Sequence, residues 1–69
     1  MQTETLYVAY QIPKEDMDKS QDDLDTVYDQ PARLALDREV DGREVIRSER
    51  LEVLEDGTKT VTLTVKIRS

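Results

Sequence analysis

Val45–Arg68 reads VIRSERLEVLEDGTKTVTLTVKIR, and how this stretch pairs with itself decides the fold. In its second half Val61, Leu63, Val65 and Ile67 interleave with Thr60, Thr62, Thr64 and Lys66, the two-residue period of a strand with one buried and one wet face. Its first half, Val45 to Leu54, runs into the turn signal Glu55-Asp56-Gly57, so the two halves read as a hairpin. Two registers are open to it. A two-residue Asp56-Gly57 turn sets Leu51 opposite Thr62 and Val53 opposite Thr60, dividing the apolar residues between the faces. A three-residue loop with Gly57 left-handed sets Leu51 opposite Val61 and keeps a single apolar face. The second is the expected register. It leaves Arg47 and Glu49 on the inner face, which calls for a bulge there or for a strand running past the edge of the core.

Working outward, Thr5 to Ile12 alternates in the same way, with Leu6, Val8, Tyr10 and Ile12 on one side and Thr5, Tyr7, Ala9 and Gln11 on the other, and Pro13 closes the run. The middle of the chain is helical, with two candidate starts. Pro13 suits a first helical position, and Ser20 suits a cap followed by Asp22 and Asp23 in the first turn, where negative charge meets unpaired amides. Pro31 interrupts any single long helix and is equally suited to open a second one, because PARLALDREV is rich in helix formers and Gly42 follows as a stop. A rival reading makes Ala32, Leu34, Leu36 and Val40 an alternating strand. The expected fold class is α+β: one domain over residues 1–69, of order βαββ, with a three-stranded, mostly antiparallel sheet and one or two helices on one face.

The helical stretch carries the most unusual chemistry, since KEDMDKSQDDLDTVYD, from Lys14 to Asp29, holds seven carboxylates in sixteen residues. On an ideal helix Glu15, Asp18, Asp22, Asp25 and Asp29 fall at steps of three and four and share one face, with Met17, Leu24, Val27, Tyr28, Pro31 and Ala35 opposite. The plainest reading is the solvated side of an amphipathic helix. Its repulsion costs roughly 1 to 2 kcal/mol over four neighbouring pairs, which is noticeable in so small a domain. The sharper reading is an imitation of a nucleic-acid backbone that blocks a basic groove, in the manner of small phage or mobile-element inhibitors. A dedicated cation site fits poorly: a calcium loop begun at Asp16 or Asp18 lacks the glycine it needs at its sixth position.

Composition narrows the function classes. A net charge of −6 disfavours nonspecific binding to nucleic acid or anionic membranes, while leaving basic partners or a high-salt cytoplasm open. With no Cys, His, Trp or Phe, the chain lacks disulfides, soft-metal ligands, the usual proton shuttle and the most potent nucleophile. Ser20, Ser48 and Ser69 have no identifiable base, and neither glycine lies in a phosphate-cradling loop. A core of Leu, Val, Ile and parts of three tyrosines is thin for 69 residues, which makes self-association a default expectation. No apolar run reaches the length of a membrane span and the N-terminus lacks a secretory layout, so a cytoplasmic location is expected.

The expectation is therefore a small acidic, non-enzymatic interaction module without cofactor or metal, self-associating and occupying the surface of a partner protein; the alternative is the acidic inhibitor. Two surfaces are candidates. One is the acidic stripe of Glu15, Asp18, Asp22, Asp25 and Asp29. The other is the open sheet face of Tyr7, Thr60, Thr62 and Thr64, where an exposed tyrosine beside alternate threonines could receive a partner or a second subunit. Arg33, Arg38, Arg43, Arg47, Arg50 and Arg68 read as paired surface charge rather than a phosphate track.

Overall fold

The structure, a computed structural model, describes residues 2–68. Strand β1 (Thr3–Ile12) leads through a 3-10 turn (Lys14–Asp16) into helix α1 (Gln21–Leu24), a π turn (Asp25–Asp29) and helix α2 (Gln30–Val40). Strands β2 (Val45–Glu55) and β3 (Thr58–Arg68) complete an α+β fold of order βαββ. The sheet has the order β1-β3-β2 and both pairings are antiparallel, so the last strand lies in the middle.

Both candidate helix starts are used, for different turns. Pro13 precedes the short 3-10 turn, and the Ser20 hydroxyl accepts the Asp23 amide at 3.2 Å, capping α1. Pro31 stands in the first turn of α2, as expected for a residue that opens a second helix, and the backbone widens just ahead of it, where the Gln30 amide reaches back to the carbonyl of Asp25. In a regular helix Pro31 would lack the amide for the Val27 carbonyl and its ring would crowd that oxygen; a π turn at this point gives the ring room. The helix ends where Asp41 (φ 50°) and Gly42 (φ 77°) turn left-handed, which excludes the strand reading of residues 32–40. Arg43 then donates from Nε to the Val40 carbonyl at 2.9 Å and from Nη1 to Glu4 at 3.1 Å, fastening the helix end to β1.

The core lies between this helical run and the inner face of β1 and β3. Val61 and Ile67 are wholly buried, Leu63 and Val65 nearly so, and the helices contribute Leu24, Ala32, Leu36 and Val40. Those four, with the half-buried Tyr28, are spaced by fours. A step of four overruns a 3.6-residue turn by ~40° each time, and the slower winding of the π turn takes up part of that drift. The expected apolar face was placed by ideal winding and is wrong at three positions. Val27 is 57% exposed, and Pro31 and Ala35 also point to solvent.

The hairpin takes the two-residue turn, not the expected three-residue loop. Glu55 pairs with Thr58, Val53 with Thr60 and Leu51 with Thr62. Asp56 (φ 53°) and Gly57 (φ 77°) both occupy the left-handed region, the type I′ geometry whose twist matches that of paired strands. Leu51 and Val53 therefore sit on the outer face together with Arg47 and Glu49, while Ser48, Arg50, Glu52 and Leu54 face inward. A bulge does occur between Val45 and Arg47, but it does not bring Arg47 and Glu49 inside. The single-faced register assumes that burial dictates facing. Every residue of β2 is exposed, so no burial term opposes the turn chemistry of Asp-Gly.

The result is a thin slab of 44 × 21 × 13 Å with a radius of gyration of 13.6 Å. A compact chain of this length would have roughly 11 Å, and the excess reflects a sheet only two of whose strands are covered. Gly57→Ala should destabilise the fold by about 1 kcal/mol, because alanine disfavours the positive φ and its Cβ would meet the Lys14 side chain at 3.1 Å. Asp56→Asn, which suits the same conformation, should shift the urea midpoint little.

Candidate interaction surface

The outer face is built row by row from the ladder. Ala9, Thr62 and Leu51 lie side by side across the three strands, flanked by the row Tyr7, Thr64, Glu49 and by the row Gln11, Thr60, Val53. No helix covers these rows. Tyr7 is 73% exposed, Leu51 62% and Val53 46%, whereas Thr60, Thr62 and Thr64 are half-buried because strands flank them on both sides. The Gln11 amide donates to the Thr60 hydroxyl at 3.4 Å. The face thus joins Tyr7, Thr60, Thr62 and Thr64 as sequence reasoning proposed, and adds two aliphatic side chains that it had turned inward. Asp56-Gly57 was the signal that could have found them, had local turn chemistry been given precedence.

The acidic residues do not form one stripe. Glu15 belongs to the 3-10 turn and Asp18 to the loop after it, both exposed; Asp22 is exposed on α1, and its carbonyl accepts the Thr26 hydroxyl at 3.0 Å. Asp25 is half-buried and accepts the Gln21 amide at 2.8 Å. Asp29 is the clear departure, only 7% exposed and facing the sheet. It lies three residues before Ala32 and seven before Leu36, and shares their face. Among the described residues no three acidic, His or Cys side chains converge in a way that would hold a metal ion.

Asp29 is the centre of a polar cluster beneath the π turn. It accepts the Tyr10 hydroxyl at 2.7 Å and the Arg33 guanidinium, so both carboxylate oxygens are used. Burial pushes its pKa upward, but the hydrogen bonds from Arg33 and Tyr10, with the charges of Arg33 and Arg50, prevail and hold it below the ordinary carboxylate value. Tyr10 moves the other way: burial, then its bond to the Asp29 anion, raises its phenol. The Tyr10 and Tyr28 rings stack with centroids 6.2 Å apart, and the Tyr28 hydroxyl donates to Asp16, which also pairs with Lys19 at 3.6 Å. Sequence reasoning missed this cluster, since it depends on how a helix and a strand 19 residues apart are juxtaposed. Its polar groups are mutually satisfied, and it fastens helix to sheet.

Between α2 and the uncovered inner side of β2 runs a groove of about 450 Å³, floored by Leu36, Leu63 and Val65 and edged by Arg33 and Arg50. Five of the six arginines form ion pairs: Arg33 with Asp29, Arg43 with Glu4, Arg47 with Glu49, Arg50 with Glu52 and Arg68 with Glu44. Ser20 is a helix cap and Ser48 a residue of β2, while Ser69 lies outside the described residues. No helix among the described residues is long and apolar enough to cross a membrane. Compared with family models, curated proteins and solved structures, the chain matches none.

Tyr10→Phe and Asp29→Asn should each destabilise the fold by about 1 to 3 kcal/mol, as expected when a buried hydrogen-bonded carboxylate loses a partner or its charge. Because the folded-state pKa of Asp29 is depressed, its contribution is present above the unfolded-state value near pH 4 and is lost as the pH falls through the folded-state value. Chemical denaturation from neutral to acid pH should therefore show a fall in stability that is shallower in Asp29→Asn.

Proposed function

We propose that this protein is a small, non-enzymatic interaction module that occupies a surface of a partner protein through the open face of its sheet, acting as a self-associated unit. The observation that carries this reading is the exposure of Tyr7, Leu51 and Val53, one in each of three successive rows on either side of the half-buried threonines, on a face with no helix over it. An aromatic side chain and aliphatic ones exposed on the same sheet face are the composition of an interface centre, and a flat strand surface sets a shape for a partner to match. Threonine hydroxyls between them supply hydrogen bonds without the desolvation cost of charge.

The acidic-inhibitor reading rests on Glu15, Asp18, Asp22 and Asp25, since Asp29 is engaged inside the fold. These four spread over a 3-10 turn, a loop, helix α1 and the π turn, a less regular row than a phosphate backbone presents. The open face is the better supported of the two surfaces.

Affinity capture from the native lysate separates them. A partner held by the wild type should be lost with Tyr7→Ala or Leu51→Ser, and retained by Asp18→Asn/Asp22→Asn, which leaves the Asp29 cluster intact. Loss with the Asn pair and retention with the face variants would instead select the acidic surface.

A further inference from the structure

We infer that a second copy of this chain pairs with the first along the free edge of β2, antiparallel about a two-fold axis at Leu51, joining two three-stranded sheets into one of six strands. This rests on the proposed function only for self-association, and specifies the surface and register by which it occurs.

β2 is eleven residues long, exposed throughout, and paired on one side only. It contains no proline, lysine or glycine, the residues that commonly blunt an edge, and its one bulge lies at its beginning, between Val45 and Arg47. In an antiparallel ladder alternate residues turn their amide groups away from the neighbouring strand. With a two-residue turn joining Glu55 to Thr58, those residues of β2 are Ser48, Arg50, Glu52 and Leu54.

The order of charges selects both the occupant and the register. Two copies related by a two-fold axis normal to the sheet must place residues of the same face opposite one another. Centring the pair on Glu49, Arg50 or Glu52 sets like charges in contact at the axis. Centring it on Leu51 sets Leu51 against its copy, Arg50 against the second copy's Glu52, and Arg47 against the second copy's Glu55, each charge pair occurring twice. Ser48 then meets Leu54, and Glu49 meets Val53. Arg50 and Glu52 already pair within the chain on the inner face, so the two copies would form a four-charge cluster of alternating sign. Arg47 and Glu55 are exposed on the outer face; Arg47 pairs with Glu49 within the chain and would share its guanidinium with the second copy's Glu55. The other edge offers no such code: β1 carries a single charge, Glu4, and Arg43 already holds it. Pairing at Leu51 also makes the two open faces one surface, with both copies of Leu51 at its centre.

The test is sedimentation equilibrium over a concentration series, with circular dichroism to confirm folding. The wild type should dimerise. Arg47→Glu alone and Glu55→Arg alone each place like charges at two contacts and should weaken dimerisation roughly tenfold or more. An equimolar mixture of the two variants restores opposite charge at both contacts and should dimerise like the wild type, which also shows that neither variant had merely unfolded. A dimer indifferent to both substitutions, or a mixture that stays monomeric, overturns the edge pairing and leaves self-association through the open face standing. A wild type that remains monomeric at every concentration overturns both the pairing and the self-association in the proposed function. A wild type that remains monomeric but binds an extended peptide along β2 assigns the edge to a foreign strand and likewise overturns the pairing.

Discussion

The register of the β2-β3 hairpin is the constraint on which the rest of this molecule depends. Side chains on a strand alternate with a period of two, so a shift of one residue exchanges the two faces entirely. With Asp56 and Gly57 alone forming the turn, Leu51 and Val53 lie on the open face and Arg50 and Glu52 on the inner one. With one more residue in the loop, the open face would lose its aliphatic side chains. The same Asp-Gly pair, with nearly the same φ angles, ends the helix at Asp41-Gly42, yet there it closes a helix and here it reverses a strand. What differs is the structure on either side, not the dipeptide.

A second constraint is how little one helix can cover. The helical run lies over β1 and β3, where Val61, Leu63, Val65 and Ile67 meet Ala32, Leu36 and Val40, and leaves β2 without a packing partner on either face. Asp29 secures this arrangement from within. The wide turn precedes Pro31, Asp29 at its end faces the sheet on the side of Ala32 and Leu36, and Tyr10 and Arg33 satisfy both of its oxygens. A charge that the sequence pattern assigns to solvent thus becomes the attachment of helix to sheet.

Much of the fold was legible in the sequence because its signals are local. The alternation of β1 and β3, the Ser20 cap, the helix-forming run after Pro31 and the Gly42 stop each depend on a few neighbouring residues, and all are found in the structure. The facing of β2 was not legible by hydrophobic pattern, because a pattern reports burial only where something buries it. The inward turn of Asp29 was hidden for a different reason: helical-wheel reasoning assumes 3.6 residues per turn throughout, and one π turn is enough to change which residues share a face. Tyr7 and the threonines of the open face were visible, while Leu51 and Val53 beside them required the register.

The most direct measurement is nuclear Overhauser contact between α protons across the hairpin, which is strong at the closely spaced, non-hydrogen-bonded pairs of an antiparallel ladder. The two-residue turn requires such contacts between Glu52 and Val61 and between Arg50 and Leu63. A contact between Leu51 and Val61 in their place would put Leu51 on the inner face and contradict the account.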